Sequence, residues 1–368
     1  MRSWWAEALF LPEEPGEQRR KGNRDEIEGK VFIGAGDTFE PDGGERRLFD
    51  TLWWEAGRYL ELIVSTADEA LTIERFALRE THYPLDWASR FETNDARFAD
   101  LTPIARRVME MCSHETYMDC PYYEQLMYVG DTRLEALTTF ACVEDDRLPR
   151  KALTLFDASR MAPGFTQSRY PSHVTQTIPP FSAWWVAMVH DFAMWRDDAE
   201  FVRGLMPGVR SVLDTFVRWR TKDGLIAGPT GWNFMDWVPG WPHGMSPDGG
   251  DAGGVSAPLN FQLAWVFKQA AELEDAFGDP ELATLQRRRA KDVSAAAVDA
   301  FWSEERGLFA DDIKRAHFSE HAQCLALLGD AVDAARQPQV IDHLFTDDRL
   351  ARTTVYFTHY LFETCAKT

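Results

Sequence analysis

Three carboxylates stand within thirteen residues in Asp119-Cys-Pro-Tyr-Tyr-Glu124-Gln-Leu-Met-Tyr-Val-Gly-Asp131, interleaved with Tyr122, Tyr123 and Tyr128. Neighbouring carboxyl groups can divide labour: a protonated one donates a proton, and an ionised one accepts hydrogen bonds from hydroxyls or activates water. Set among aromatic rings, on which the C–H-rich faces of sugars pack, they offer the chemistry of glycoside cleavage. Pro121 keeps Cys120 away from helical angles and removes a backbone donor, so the run opens as a rigid loop. Gly130-Asp131 reads as the start of a helix that Asp131 can cap. Capping is the bland reading of Asp131 and is compatible with binding a hydroxyl.

Two long connections carry further chemistry-bearing residues. Residues 160–180 hold Arg169-Tyr-Pro-Ser-His173 and Gln176-Thr-Ile-Pro-Pro180, and residues 222–257 hold Gly231-Trp232-Asn-Phe-Met-Asp236-Trp237 and a run rich in Gly, Pro and Asp up to Gly254. Long loops in a compact helical domain are usually functional or mobile. Asp236 is a candidate for binding substrate, with Trp232 and Trp237 as walls; the competing readings are a turn aspartate and two core rings. His173 and His321 are lesser candidates, because a lone histidine is more often a structural residue. His317 and His321 are four apart, but no third ligand is evident, so no metal site is expected. No cofactor motif is present.

These groups need elements to position them. Arg58–Val64 and Leu71–Leu78 are rich in branched and aromatic residues and predict strands joined through Ala67-Asp-Glu-Ala70. Pro12–Arg24 is charged and poor in apolar residues, which predicts a mobile segment. Beyond residue 95 the spacing is helical. Thr102-Pro103 marks a helix start, Ile104, Val108 and Met111 form a stripe, and Leu134, Leu137 and Ala141 repeat it after Asp131. Further helices are predicted over 147–159, 181–196, 198–220, 258–278, 280–302, 319–329, 334–345 and 353–366. Ten helices without intervening strands indicate a mainly α helical toroid or solenoid. No repeat of fixed period is visible, which disfavours the solenoid.

Acidic residues outnumber basic ones 59 to 39, giving a net charge of −20. That balance argues against binding nucleic acid or anionic membrane surfaces. No apolar run reaches the roughly 18 residues of a membrane span. Cys112, Cys120, Cys142, Cys324 and Cys365 form an odd, scattered set, which predicts free thiols in a reducing, cytoplasmic setting. Fourteen tryptophans are unusual; most are expected in the core, as aromatic residues usually are, and a subset in loops would suit sugar stacking.

Asp119-Cys-Pro, Glu124 five residues after the Asp, and Gly130-Asp131 with its Asp seven residues after the Glu together resemble the signature of the α-L-rhamnosidases of glycoside hydrolase family 78. Tyr170-Pro-Ser, Ile178-Pro-Pro-Phe-Ser-Ala-Trp-Trp185 and the Trp232…Asp236-Trp237 block are similar to that family in the same order, and the likeness covers about residues 97–368. It implies an (α/α)6 barrel over 96–368, preceded over 1–95 by the last part of a β-sandwich domain. The implied reaction is inverting hydrolysis of terminal α-L-rhamnosides, with Glu124 as a general acid kept protonated by burial or a neighbouring carboxylate. Asp119, Asp131, Asp236, Trp232, Trp237 and His321 would hold the sugar.

The chain departs from common members at Gln125, where they have Arg, and at Tyr128, where they have Trp. These departures bear on the preferred sugar more than on the reaction. The family's general base is a late glutamate, and no glutamate here stands in a matching context; Glu320, in Phe318-Ser-Glu-His-Ala, does not fit. The resemblance therefore implies a chain lacking its last hairpin, with little turnover by itself and with Phe357, Tyr360 and Leu361 near an open, association-prone edge. A different (α/α)6 exo-glycosidase and a non-catalytic carbohydrate-binding protein are the alternatives.

Overall fold

The computed structural model describes residues 1–13, 19–250 and 252–368, which divide into two compact units. The first comprises Met1–Pro84 with Asp95–Gln125, and the second Leu85–Asn94 with Leu126–Thr368. The division falls inside the acidic motif, after Gln125.

In the first unit, β1 (Arg2–Ala6) lies between β2 (Ala35–Thr38) and β3 (Tyr59–Ile63), both antiparallel to it. Trp4 stands opposite Gly36 on one side and Glu61 on the other. Helix α1 (Leu101–Met111) groups with these strands, and the Tyr122 hydroxyl donates to the Trp5 carbonyl at 2.8 Å. The strand expected over Leu71–Leu78 does not form, and the turn expected at 67–70 has no hairpin to close. Branched residues favour extended backbone, but a strand needs a ladder partner, and this segment has none among the described residues. Leu71, Ile73, Phe76 and Leu78 are exposed there. Of the segment expected to be mobile, Glu14–Gln18 lie outside the described residues. Its flank is pinned: Leu11 N–H donates to the Arg20 carbonyl at 3.0 Å and Gly22 N–H to the Leu9 carbonyl at 2.8 Å.

The second unit is helical: α2 (Val129–Cys142), α3 (Arg147–Ala158), α4 (Pro179–Trp195), α5 (Ala199–Val217), α6 (Ala257–Phe277), α7 (Pro280–Phe301), α8 (Glu320–Leu328), α9 (Gln337–Thr346) and α10 (Thr358–Lys367). A small hairpin of β4 (Trp302–Ser303) and β5 (Leu308–Phe309) precedes α8. Helices α2, α4, α6, α8 and α10 each pack on the next, forming an inner layer; α3, α5, α7 and α9 alternate with them outside. The sequence sorts the layers. Outer α5 buries Val202, Leu205, Met206, Val209, Val212, Leu213 and Phe216, the stripe of a helix with one wet face. Inner α4 is buried from Pro179 to Val189 without interruption, and α8 buries every residue. A helix apolar all round must be surrounded.

The connections divide in the same way. Outer helices follow links as short as Gly278-Asp279, while the inner helices follow long ones such as 159–178 and 218–256. Because the helices alternate in direction, the long connections gather at the N-terminal end of the inner layer. There they are tied in a belt. Val129 N–H donates to the Ser168 carbonyl at 2.9 Å, Trp232 N–H to the Thr177 carbonyl at 3.0 Å, Ala257 N–H to the Asp311 carbonyl at 2.9 Å, and Glu320 N–H to the Ala351 carbonyl at 3.0 Å. At their start, Pro179-Pro180 occupy the first turn of α4 and Pro258 that of α6, where no donor is lost.

The middle of the inner layer holds a buried cation. Arg133 of α2 is paired in bidentate fashion with Asp191 of α4, Nε to Oδ2 at 2.7 Å and Nη2 to Oδ1 at 3.2 Å. Its Nη1 donates to the Tyr360 hydroxyl of α10 at 3.3 Å. The guanidinium lies 4.9 Å from the Trp184 ring and 5.5 Å from that of Trp265 on α6. Burial alone would lower the Arg133 pKa; the charge of Asp191 and Tyr360 outweighs it, so the side chain stays ionised. Tyr360 stacks on Trp184 at 4.6 Å. Phe357 and Tyr360, expected near an open edge, are completely buried because α10 closes onto this cation; Leu361 is partly buried. No described helix is long and apolar enough to cross a membrane.

Removing one partner of such a pair strands a buried charge. Arg133→Met is expected to cost about 3–5 kcal/mol in urea unfolding, and adding Asp191→Leu to recover most of that loss. A single variant within about 1 kcal/mol of the parent would show that the pair does not hold the layer together.

Candidate functional site

In the first unit, the loop from Cys120 to Gln125 closes on itself. Gln125 N–H donates to the Cys120 carbonyl at 3.2 Å, Glu124 N–H to Cys120 Sγ at 3.3 Å, and Gln125 Nε2 to the Pro121 carbonyl at 3.1 Å. Gln125 takes a left-handed conformation, φ +49°, which few side chains adopt without support. The support is visible: Trp53 Nε1 donates to Gln125 Oε1 at 3.0 Å. An arginine at 125 could not accept that bond. The outcome is a tight turn that brings an oxygen of Asp119, an oxygen of Glu124 and Cys120 Sγ within 4.8 Å of one another. Asp119 is half-buried and Glu124 exposed. Burial, then the Asp119 charge, pushes the Cys120 thiol up. It therefore keeps its proton at neutral pH.

In the second unit, α2 begins at Val129, after Tyr128 in extended conformation. Asp131 is thus not the cap expected from the sequence. It lies within the first turn, where a negative charge meets the positive end of the helix. Gly130 is held by close approach: a β-carbon there would come within 2.6 Å of the Phe181 ring and of the Tyr356 hydroxyl. Tyr356 is the residue that the sequence concealed. Val355-Tyr-Phe reads as the opening of an apolar helix, yet α10 starts only at Thr358, leaving Tyr356 in the belt. Burial, then the charges of Tyr360, Asp131 and Asp236, push its phenol well above the ordinary tyrosine range. Its hydroxyl makes no hydrogen bond of ordinary geometry among the described residues. Arg169 Nη1 donates to the Tyr128 hydroxyl at 3.1 Å and ties the first long connection to the second.

The Trp232–Trp237 block forms an aromatic ladder. Phe234 lies 5.2 Å from Trp232, 5.1 Å from Trp237, 5.7 Å from Phe181 and 6.2 Å from Tyr356. Trp237 is 60% exposed and Trp232 partly exposed, so both rings offer surface. Asp236, expected to reach substrate, is enclosed, with 0% exposure. Its carboxylate accepts from His321 Nε2 at 2.7 Å, from Thr354 N–H at 2.8 Å, from the Thr354 hydroxyl and from Trp237 N–H at 2.8 Å. Burial alone would raise its pKa; the bond and charge of His321 and the Thr354 donors outweigh that and hold it below the usual carboxylate range. His321 is likewise wholly buried, against Trp241 and Phe357. Both residues anchor the ladder to the segment before α10. His317 turns instead to Asp312, Nδ1 to Oδ2 at 2.9 Å, so the two histidines do not converge. His173 is exposed. Glu320 is committed: Oε1 accepts from Arg352 at 2.6 Å, and Oε2 from Thr353 N–H at 2.7 Å and its hydroxyl at 3.0 Å.

The belt also contains a buried acid. Asp311 accepts from the Ser319 hydroxyl at 2.6 Å, and its Oδ2 has no hydrogen-bond partner among the described residues. Burial, reinforced by Asp312, raises its pKa to about 7. The folded chain therefore holds a proton that the unfolded chain releases near pH 4, and stability from this group falls as pH rises from about 4 to about 7. Asp311→Asn is expected to flatten that decline and to add on the order of 3 kcal/mol at pH 7.5, read from denaturant melts across the range. An unchanged slope would place the proton elsewhere.

The family model of the bacterial α-L-rhamnosidase 6 hairpin glycosidase domain matches residues 86–356. No curated protein sequence matches. Among solved structures, the chain is similar to a GH78 family rhamnosidase of Bacillus sp. GL1, with a TM-score of 0.70 and 23% identity over 78% of this chain and 30% of that one. A rhamnosidase from Klebsiella oxytoca with rhamnose bound gives 0.66 and 20%, over 75% of this chain and 52% of that one. Streptomyces avermitilis α-L-rhamnosidase complexed with L-rhamnose gives 0.64 and 16%, over 78% and 26% respectively. The likeness to these structures is one of fold, and the chain spans about half or less of each.

Proposed function

Since this chain belongs to the bacterial α-L-rhamnosidase six-hairpin glycosidase domain family, we propose that it binds terminal α-L-rhamnose and serves its hydrolytic removal from glycans or glycosides. The observation that carries the reading lies in the second unit. Five connections meet at one end of the inner helices, where Asp131 stands beside Tyr356 and below an aromatic ladder whose two tryptophans keep exposed surface. Ionised carboxylates hold vicinal hydroxyls, and flat rings take the apolar sugar face. Two of the structurally similar rhamnosidases carry rhamnose, which supports the choice of sugar.

In this proposal Glu124 protonates the leaving oxygen, and Asp119 and Asp131 accept hydrogen bonds from the sugar. Glu124 stands in a turn that four hydrogen bonds hold in place, as positioned proton transfer requires. Asp236 and His321 act by holding the ladder. Inversion calls for a second carboxylate roughly 6.5–9.5 Å from the acid, with room for water. Glu320, with both oxygens engaged, is not proposed for that part.

L-rhamnose titrated into the purified chain should produce saturable heat. Asp131→Asn should weaken binding about tenfold or more, the worth of one charge-assisted hydrogen bond. A parent chain that binds no rhamnose, or glucose equally well, would defeat the proposal.

A further inference from the structure

Between α7 and the segment leading into α9 the second unit has a cleft of about 830 Å³ that shares no residue with the ladder or the acidic motif. In a chain of net charge −20 it is a cationic place: Lys268, Arg287, Lys291, Arg315 and Arg336 line it, against Asp299, Glu304 and Asp330. Helix α7 supplies the long wall. Arg287, Lys291, Ala295 and Asp299 recur every four residues along one strip, and Ala290, Ser294 and Val298 along the next, where short side chains leave depth. From Arg287 to Asp299 the wall runs about 18 Å, at about 1.5 Å per residue. Three of the cations have carboxylate partners. Lys268 is paired with Asp330, which Lys367 also reaches at 2.6 Å; Arg336 meets Asp333 at 3.3 Å and Glu304 at 3.5 Å; Arg287 pairs with Asp275 outside the cleft. The other two have none among the described residues. Arg315 donates to the Asp299 and Ala300 carbonyls, at 2.9 and 3.1 Å, and exposed Lys291 forms no hydrogen bond or ion pair there. Trp302 borders the cleft and is 6% exposed; the Arg336 guanidinium lies 4.6 Å from its ring, and its indole N–H has no hydrogen-bond partner among the described residues.

We infer that this cleft is a second binding site, separate from the one proposed for rhamnose, and that it takes an acidic oligosaccharide, a chain of sugars bearing carboxylates. The signs of its lining select that class. Lys291 and Arg315 offer charge-assisted bonds to carboxylates. Asp299, Glu304 and Asp330 stand among them and accept from hydroxyls, so the ligand must carry both groups, spaced along its length. A nucleic-acid backbone is densely charged and presents acceptors only; those three carboxylates and the net charge of the chain repel it. A neutral glycan gains nothing from the two free cations. The open, elongated shape suits an extended chain that lies along α7.

The test is calorimetry on the full chain with tetragalacturonate, its fully methyl-esterified form and inorganic tripolyphosphate. Tetragalacturonate should bind at least tenfold more tightly than the ester, and raising NaCl from about 50 to about 500 mM should weaken it by a similar factor, as screening of exposed charges requires. Lys291→Glu, which breaks no bond of the fold, and Ala295→Trp, which fills the exposed strip without changing charge, should each weaken tetragalacturonate at least fivefold and leave L-rhamnose binding unchanged. No binding of tetragalacturonate, equal affinity for the ester, or two variants that bind it like the parent would overturn the inference. Tripolyphosphate bound as tightly as tetragalacturonate would overturn the choice of an acidic sugar. Tetragalacturonate bound in this way by a chain that ignores rhamnose would uphold the cleft while the functional reading above fails.

Discussion

A guanidinium buried among aromatic rings has to be paired, and the pairing of Arg133 dictates how the inner helices meet. Asp191 takes two of its donors from α4, Tyr360 a third from α10, and Trp184 and Trp265 close over its faces. Taking such a pair out of water costs several kcal/mol per ion, so it earns its place through geometry more than through net stability. Bidentate pairing fixes the rotation of α2 against α4, and with it the direction in which Gly130 and Asp131, less than a turn away, face. Tyr360 does the same for α10, and so for Tyr356 in the segment before it.

The belt of long connections follows from that frame. Inner helices, buried on all sides, cannot carry exposed chemistry along their lengths, which leaves their N-terminal ends. Polar groups in the belt are used chiefly to bind one connection to another. Asp236 is the clearest case: it draws on His321, Thr354 and Trp237 at once and anchors a loop whose rings face outward. A buried histidine–aspartate contact of this kind resembles catalytic machinery, yet here its exposure is nil and the carboxylate's bonds go to holding the loop.

What the chain reveals before folding depends on the range of the interaction. The stripe of α5 and the apolar length of α4 are local patterns, and the ten α-helices among the described residues are legible from patterns of that kind. The spacing of Asp119, Glu124 and Asp131 is equally local. Leu71–Leu78 misleads because propensity records a preference for extended backbone and says nothing of a partner. Asp131 misleads because Tyr128, an extended aromatic, starts the helix three residues earlier than a capping rule would place it. Asp236 and His321 are 85 residues apart and each alone resembles a ligand. Tyr356 is hidden by its apolar neighbours, and only the late start of α10 releases it.

The account turns on sugar recognition at the N-terminal end of the inner helices. The most direct test is a crystal structure of the chain soaked with L-rhamnose. Density for one pyranose with hydroxyls on Asp131 and its apolar face against Trp232 or Trp237 is the predicted result. Rhamnose bound away from that end of the helices, or lattice-wide absence of sugar at saturating concentration, would contradict it.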